Sequence, residues 1–429
     1  MSAPIPPSPS ASRFGPWHWG ALAVSVAPLA FYAFSPRAKD LGLYFNTARY
    51  FLAGATPNED FLFEYPPYAL LWFIPAAWLG GTLKAFVTLF GLQLTLFDAF
   101  CKWLLLSEGT RRWGRSVRAW VPFAVYSVAS WVQSVHYLKR YDLIPATLTL
   151  AALVALSRRR DVLAGLALSV GIATKLYPVV LVPLALAVCW RRGSWAAVWK
   201  LGLGLTLGAL PLLPLSAFWP WWDFASFHVG RGLQVESLGA SLLWAAHLLG
   251  GVSGVAWVHA MAAYELHGAA AEWVKDAMRW VWVVGSLASA AVGLWVVRRR
   301  APERVEDLAR LALLPLVTFV ALNPVLSPQY LIWLTGAAGL ALLSGSRWAP
   351  AAVFVAAIIT RGIFAGSTYK TGLGASHTVL LLVRNGLLLA AGFALAREVW
   401  RSVASLGRAT VAGPEDLPAS VHAGAREGS

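Results

Sequence analysis

The chain has 429 residues, of which 58% are hydrophobic and 13% are charged, and its mean hydropathy is +0.61. This composition excludes a soluble globular protein and is typical of a polytopic membrane protein. The 23 Trp and 25 Pro agree, because Trp gathers at membrane interfaces and Pro is tolerated in packed spans. The formal charge of +15 lies largely in Arg clusters between apolar segments, so we interpret it as membrane topology and not as nucleic-acid binding.

The apolar segments predict an all-α, polytopic helical protein with about twelve membrane crossings. The first crossing, 17–34, is an uncleaved span that follows a short cytoplasmic segment, 1–16. The membrane domain extends over 17–396, and 397–429 is predicted to be a cytoplasmic, partly disordered tail. Segment 66–81 is short and proline-rich, and it is predicted to re-enter the outer leaflet. The other predicted crossings are 83–106, 117–134, 143–157, 162–174, 177–190, 198–216, 278–297, 308–325, 329–345, 348–365 and 377–396.

The basic clusters orient these segments. Arg residues at 158–160 and 191–192 flank one apolar run, and the positive-inside rule places both flanks in the cytoplasm. Lys175, in the middle of that run, therefore lies at the outer turn of a hairpin. Here it either binds an anion or extends its amine to the interface. The only cysteines, Cys101 and Cys189, form no CxxC or His-rich cluster, so no disulfide framework or zinc site is predicted.

Ionisable residues are scarce inside the spans and concentrated in the outer loops. A midplane transporter normally needs charged side chains in its spans, and this chain has few candidates there, so the pattern favours an enzyme acting at the outer surface. In the first outer loop, the pattern of residues 41–52 predicts an amphipathic interfacial helix. Asp40 directly precedes that helix. It is either a functional carboxylate or an ordinary helix N-cap.

Four motifs occur in order along the chain. The first outer loop contains Asp40, then Tyr44, a Gly-x-x-Pro turn at 54–57 and the tripeptide Tyr-Pro-Pro at 65–67. The other three are AGL followed by KLYP at 164–178, RGLQVES at 231–237 and SPQYLIWL at 327–334.

These motifs resemble those of glycosyltransferase family 87, the polyprenol-phosphate-mannose-dependent α-mannosyltransferases of the GT-C superfamily. The resemblance implies a GT-C type of fold and sugar transfer with inversion, with Asp40 as the catalytic base that takes the acceptor proton. Separate cations must stabilise the leaving phosphate. The candidates for donor-phosphate binding are Lys175, Arg231, Lys139 and Arg140, and Lys370 is a weaker one.

Other outer-face residues are candidates for substrate binding, each with a purely structural alternative. A lone interfacial His is more often a satisfied polar contact than a catalyst. Glu236 is interpreted first as a partner of Arg231 that holds its loop, and the SPQY segment also suits a helix cap. The substrate-binding candidates are Tyr44, Glu64, Tyr65, His136, Tyr177, His228, Glu236, Gln329 and Tyr330.

The sequence thus favours a membrane glycosyltransferase that moves a sugar, by resemblance mannose, from a polyprenyl-phosphate donor to a lipid or glycan acceptor. The predicted location is a bacterial inner membrane with the site facing outward. No cofactor is implied, and no metal, since the chain has no DxD motif. Membrane lipids are expected partners and nucleic acid is not. The alternative is a transporter or flippase for lipid-linked glycans, which performs no chemical step.

The topology gives a direct prediction. Single cysteines at positions 40, 139, 231 and 329 should react with an impermeant thiol reagent added to intact cells, because the Arg clusters place the opposite loops inside. Each single cysteine is introduced into a variant from which both native cysteines, Cys101 and Cys189, have been removed. Matched cysteines at 112 and 159 should be protected, and labelling of these two with protection of 231 would reverse the proposed orientation.

Overall fold

The computed structural model describes residues 14–34, 39–193, 195–225, 230–260, 263–345, 347–363 and 372–411, with the backbone alone at 39–40, 260 and 403–411. Most of the described residues are helical, and every predicted crossing overlaps at least one helix. The predicted helical membrane fold is therefore supported, whereas the number of crossings remains a prediction. Among the described residues, four segments are long and apolar enough to span a bilayer: Leu83–Trp113, Trp195–Leu215, Ala269–Arg299 and Ala375–Ser402.

The N-terminal half is a series of helices joined by short turns. Thr82 starts the long fourth helix, since its hydroxyl accepts the Ala85 amide at 3.3 Å, and Gly114 ends it at φ 58°. The helices are α1 (Pro16–Ala33), α2 (Lys39–Leu52), α3 (Tyr68–Gly80), α4 (Leu83–Trp113), α5 (Val121–Val132), α6 (Ser134–Lys139), α7 (Leu143–Ser157), α8 (Asp161–Thr174), α9 (Val182–Arg191), α10 (Trp195–Ala209) and α11 (Leu212–Leu215).

The C-terminal half contains longer helices. The last one passes the predicted domain boundary at 396 without interruption. A 3₁₀ turn, Tyr177–Leu181, precedes α9, and another, Pro328–Leu331, precedes α15. The helices are α12 (Leu238–Leu248), α13 (Ala269–Arg299), α14 (Val305–Ala321), α15 (Ile332–Ala341), α16 (Trp348–Ile363) and α17 (Ala375–Val411).

One element departs from the predicted all-α fold. Strands β1 (Leu233–Gln234), β2 (Ala256–Ala260) and β3 (Ala263–His267) form an antiparallel sheet in the order β1-β3-β2, within the long outer loop. Gly254 and Gly268 bracket the hairpin, and both have positive φ. A Cβ on Gly268 would lie 2.1 Å from the Gly254 carbonyl oxygen, so these glycines allow the two chain ends to meet. The prediction missed this sheet because its strands are very short.

Charged groups inside the helical bundle are paired. The Lys102 ammonium lies 2.6 Å from the Asp98 carboxylate and donates to the Ser25 carbonyl of α1 at 2.8 Å, and both charged side chains are fully buried. An unpaired charge at this depth would be costly. The Asp98 pair therefore fastens α4 to α1.

Helices α8 and α10 approach closely at two glycines. A Cβ on Gly165 would lie 2.2 Å from the Leu201 carbonyl oxygen, and one on Gly204 would lie 2.1 Å from that of Val162. This explains physically why Gly165 sits in the AGL motif that precedes Lys175. Small residues allow helix backbones to approach in a membrane.

This contact predicts the effect of one methyl group. Gly165→Ala should lower the free energy of unfolding in detergent by about 1–3 kcal/mol, because the new methyl group overlaps the α10 backbone. The control is Gly202→Ala on α10, where no atom lies within 4 Å of the added Cβ. Equal thermal midpoints for the two variants would contradict the close packing.

Candidate active site

Lys175 lies in the turn that follows α8, outside the helices, and it is held there by a carboxylate. Its Nζ is 2.7 Å from Oδ1 of Asp142, and the Lys175 side chain is only 16% exposed. Burial lowers the pKa of Lys175, and the neighbouring Asp142 charge acts against that shift. Sequence alone left an anion contact and an extended interfacial side chain open. The structure shows a buried ion pair.

Asp142 is the main functional candidate that sequence reasoning missed. Its Oδ1 also accepts the Trp333 indole N–H at 2.9 Å. Its Oδ2 is buried and has no hydrogen-bond partner among the described residues. The signal in the sequence was weak: an acid two positions after the basic pair at 139–140, in a predicted outer loop. Asp142 thereby joins the start of α7 to the Lys175 turn and to α15.

Aromatic rings surround the Lys175 amine. The ring of Tyr141 lies 4.7 Å from Nζ, that of Trp333 5.4 Å and that of Tyr330 5.6 Å. Trp333 is stacked between Tyr330, at 3.9 Å, and Tyr177, at 4.2 Å. Rings at these distances favour a cation by their negative faces. The stack unites the KLYP and SPQY motifs, which are far apart in sequence.

A second ion pair connects the first outer loop to the RGLQVES segment. The guanidinium of Arg231 lies 3.1 Å from the carboxylate of Glu64, with both side chains less than one-fifth exposed. Burial raises the pKa of Tyr65, the next residue, well above its ordinary value, and the charge of Glu64 adds to this rise. The Tyr65 ring lies 5.2 Å from that of Tyr141. The Arg231 pair is therefore continuous with the aromatic rings around Lys175.

The predicted amphipathic helix forms as α2, and its first turn contains position 40. Tyr44, one turn later, is buried and stacks on Phe73 at 4.3 Å. Its ring also meets Tyr65 at 5.9 Å and Tyr141 at 5.7 Å. The backbone of position 40 is thus close in sequence to a residue of the cluster. The side chain of Asp40 lies outside the described residues, as do His228 and Lys370.

The remaining candidates near 136–140 have different surroundings. Burial lowers the pKa of His136 to about 3, and the charges of Arg140 and Arg361 add to that shift, so His136 is neutral near pH 7. The charge of Arg140 also adds to the lowering of the Lys175 pKa. Lys139 packs over the Tyr32 ring of α1 at 5.6 Å. His136 therefore supplies no positive charge for a phosphate.

The partner of Glu236 lies in a different element from the one that the sequence suggested. Its carboxylate lies 2.8 Å from the fully buried guanidinium of Arg384 in α17, and its carbonyl accepts the Asn385 amide at 3.2 Å. Arg231, the expected partner, instead bridges Glu64. The interpretation that Glu236 holds its loop is retained with Arg384 as the partner. No sequence signal linked the two residues.

The same loop is fixed to the SPQY segment. The Gln234 amide donates to the Ser327 hydroxyl at 2.9 Å, and the Gln234 backbone N–H donates to the Pro324 carbonyl at 3.1 Å. Gln329, two residues further, has a buried side-chain oxygen without a hydrogen-bond partner among the described residues. Across all the residues that the structure describes, no three His, Cys, Asp or Glu side chains converge as metal ligands.

The structure thus brings half of the predicted site residues into one cluster, together with Tyr141, Asp142 and Trp333, which the sequence did not single out. We name this group the cation cluster. It comprises two buried ion pairs and the rings between them: Tyr44, Glu64, Tyr65, Tyr141, Asp142, Lys175, Tyr177, Arg231, Tyr330 and Trp333.

The sequence model of glycosyltransferase family 87 matches residues 63–275, just under half of the chain, so this segment is similar to that family. The match supports a membrane glycosyltransferase. No curated protein and no solved structure shows significant similarity to the chain. The matched segment includes Glu64, Lys175 and Arg231, whereas Asp40 and the SPQYLIWL motif lie outside it.

Proposed function

We propose that the chain is a membrane glycosyltransferase of family 87 that transfers mannose from a polyprenyl phosphate to a hydroxyl of a lipid or glycan acceptor. The reaction takes place at the outer face of a bacterial inner membrane. The observation that carries this proposal is the meeting of two cations, Lys175 and Arg231, in an aromatic cluster at the helix ends. A cluster of this kind suits an anionic lipid headgroup that enters from the bilayer.

The cations would bind the donor phosphate. Lys175 offers a point charge and Arg231 a planar fork that fits two phosphate oxygens. Each is already neutralised by one carboxylate, Asp142 or Glu64, which avoids an unpaired buried charge in the empty site. As the sugar leaves, negative charge grows on the phosphate oxygens, and nearby cations stabilise that change.

The chemical step needs one further group, a base. The carboxylate of Asp40 would take the proton from the acceptor hydroxyl as its oxygen forms the bond to the anomeric carbon. The bond from that carbon to the phosphate oxygen breaks at the same time, and its electron pair leaves with the polyprenyl phosphate. Attack from the opposite face inverts the anomeric configuration. Tyr44, one turn after position 40 in α2, meets the Tyr65 ring of the cation cluster at 5.9 Å, which supports this role.

Transfer of radiolabelled mannose separates this function from transport. Purified full-length protein in liposomes is incubated with a synthetic polyprenyl-phosphate mannose and a membrane extract as the acceptor source. Formation of a labelled product other than free mannose is expected. Movement of the labelled donor across the bilayer with no such product would instead establish the flippase.

The role of Asp40 gives the first prediction for activity. Asp40→Asn preserves the size of the side chain but removes the proton acceptor, so transfer should fall by roughly 10²-fold to 10⁴-fold at normal expression. The matched control is Asp276→Asn, an exposed outer-face carboxylate that pairs with Arg279. Wild-type activity of reconstituted Asp40→Asn would remove the base assignment and leave an acid in the first turn of α2, since α2 begins at Lys39 and position 40 is not its N-cap.

The role of Lys175 gives the second prediction for activity. If Lys175 binds the donor phosphate, Lys175→Gln should raise the donor half-saturation about 10-fold to 150-fold at saturating acceptor, because a charge-assisted contact is lost. Lys275→Gln, at an outer-face pair with Glu272, is the matched control and should leave the donor half-saturation unchanged.

A double variant separates phosphate binding from a purely structural ion pair. In Asp142→Asn with Lys175→Gln, neither charge is buried alone, so structural damage should be relieved. The donor half-saturation should nevertheless stay high, since the phosphate still lacks its cation. Full recovery of the wild-type value would show that Lys175 serves only Asp142 and would contradict the phosphate contact.

A further inference from the structure

The first outer loop contains an open cavity of about 520 Å³ that lies beside the cation cluster. This volume falls within the range that small-molecule sites occupy. One of its lining residues, Phe63, is 2% exposed and touches the Tyr65 ring of the cluster at 5.7 Å. The cavity and the cluster are therefore neighbours. The lining residues are Asn58, Glu59, Asp60, Phe61, Leu62, Phe63 and Asp223.

Asn58 is one of the lining residues, and its side chain shapes the turn there. Its backbone lies in the left-handed region at φ 66°, which Asn tolerates, and its N–H donates to the Phe61 carbonyl at 2.7 Å. Its side-chain oxygen accepts the Phe63 amide at 2.8 Å, which assigns the other atom as the nitrogen. That nitrogen is buried and has no hydrogen-bond partner in the described part of the chain. The turn therefore uses the side-chain oxygen of Asn58 and leaves the hydrogens of its buried side-chain nitrogen without an acceptor among the described residues.

Three carboxylates line the cavity and make it rich in acceptors, those of Glu59, Asp60 and Asp223. One oxygen of Asp60 accepts the Thr56 amide at 2.7 Å, which leaves the other for a ligand. Glu59 is exposed at the rim. Within the described ranges, no ion pair joins Glu59 or Asp60 to a cation, in contrast to Glu64, which pairs with Arg231. The charge of the cavity is therefore negative, opposite to that of the groups proposed to bind the donor phosphate.

Aromatic side chains form part of the cavity wall. Phe61 and Phe63 line the cavity, and Phe63 packs edge-on against Trp219 at 5.3 Å, with Trp219 only 3% exposed. Apolar rings beside carboxylate acceptors match the C–H faces and hydroxyl edges of a sugar.

We propose that this cavity binds the acceptor through an uncharged sugar and discriminates against phosphorylated or carboxylated sugars at that position. The proposal rests on the proposed function and adds the substrate class of its acceptor side. Glu59 and Asp60, which have no ion-pair partner among the described residues, accept hydrogen bonds from hydroxyls, whereas they repel an anion at the same distance. The cation cluster and the cavity thereby assign the anionic donor and the neutral acceptor to opposite sides of Phe63.

Binding of simple glycosides tests the proposal without any transfer step. Full-length protein in nanodiscs is titrated with methyl α-D-mannopyranoside and with its 6-phosphate, and binding is followed by saturation-transfer NMR with no donor present. The neutral glycoside should bind at least about tenfold more tightly than the phosphate. Equal binding, or tighter binding of the phosphate, would overturn the proposal.

Variants locate the site. Glu59→Gln combined with Asp60→Asn should weaken the neutral glycoside about fivefold to twentyfold and reduce its preference over the phosphate, since charge-assisted acceptors and repulsion are both lost. Glu272→Gln, an outer-face carboxylate of α13 outside the cavity, should change neither. Identical titrations for the double variant and the wild type would place the sugar elsewhere.

Kinetics separates failure of this proposal from failure of the proposed function. In the transfer assay, the double variant should raise the acceptor half-saturation and leave the donor half-saturation unchanged. Active transfer with an unchanged acceptor half-saturation would refute the cavity alone. Absence of transfer in the wild type would refute the enzyme, while the glycoside titrations would still decide whether the cavity binds sugar.

Discussion

The arrangement of the candidate site depends on a buried lysine that has to keep a carboxylate partner. An unpaired ammonium or carboxylate in a low-dielectric site costs several kcal/mol, so Lys175 and Asp142 constrain each other. Asp142 also accepts the Trp333 indole, which connects three separate segments at one oxygen atom. The Tyr177–Trp333–Tyr330 stack then follows from the close approach of those segments. One ion pair thus sets the position of the aromatic rings around it.

The same rule governs the loop that carries Arg231. Arg384 is fully buried in the last helix, and it is compensated by the carboxylate and the carbonyl of Glu236. Gln234 adds contacts to the SPQY segment, and β1 pairs with β3. A loop fixed at three sides holds Arg231 against Glu64 with little freedom. Preorganised charges of this kind stabilise a transition state at low reorganisation cost.

In the predicted first outer loop, a neutralised ion pair lies close to carboxylates that have no ion-pair partner among the described residues. Glu64 and Arg231 neutralise each other on one side of Phe63, whereas Glu59 and Asp60 on the other side have no ion-pair partner in the described ranges. Asn58, with its left-handed backbone, directly precedes Glu59 and Asp60, and three residues then separate Asp60 from Glu64.

The sequence by itself determined the helical membrane architecture, since hydropathy and Arg clusters act through local composition and the bilayer. It also predicted the amphipathic helix α2 and the hairpin that contains Lys175, and the order of the motifs identified the family resemblance. Only the tertiary structure decided the partners: Asp142 for Lys175, Glu64 for Arg231 and Arg384 for Glu236. The short sheet and the cavity were also decided at that level. Each of these depends on contacts between residues far apart in the chain, and a local pattern contains no information on which buried charge will meet which.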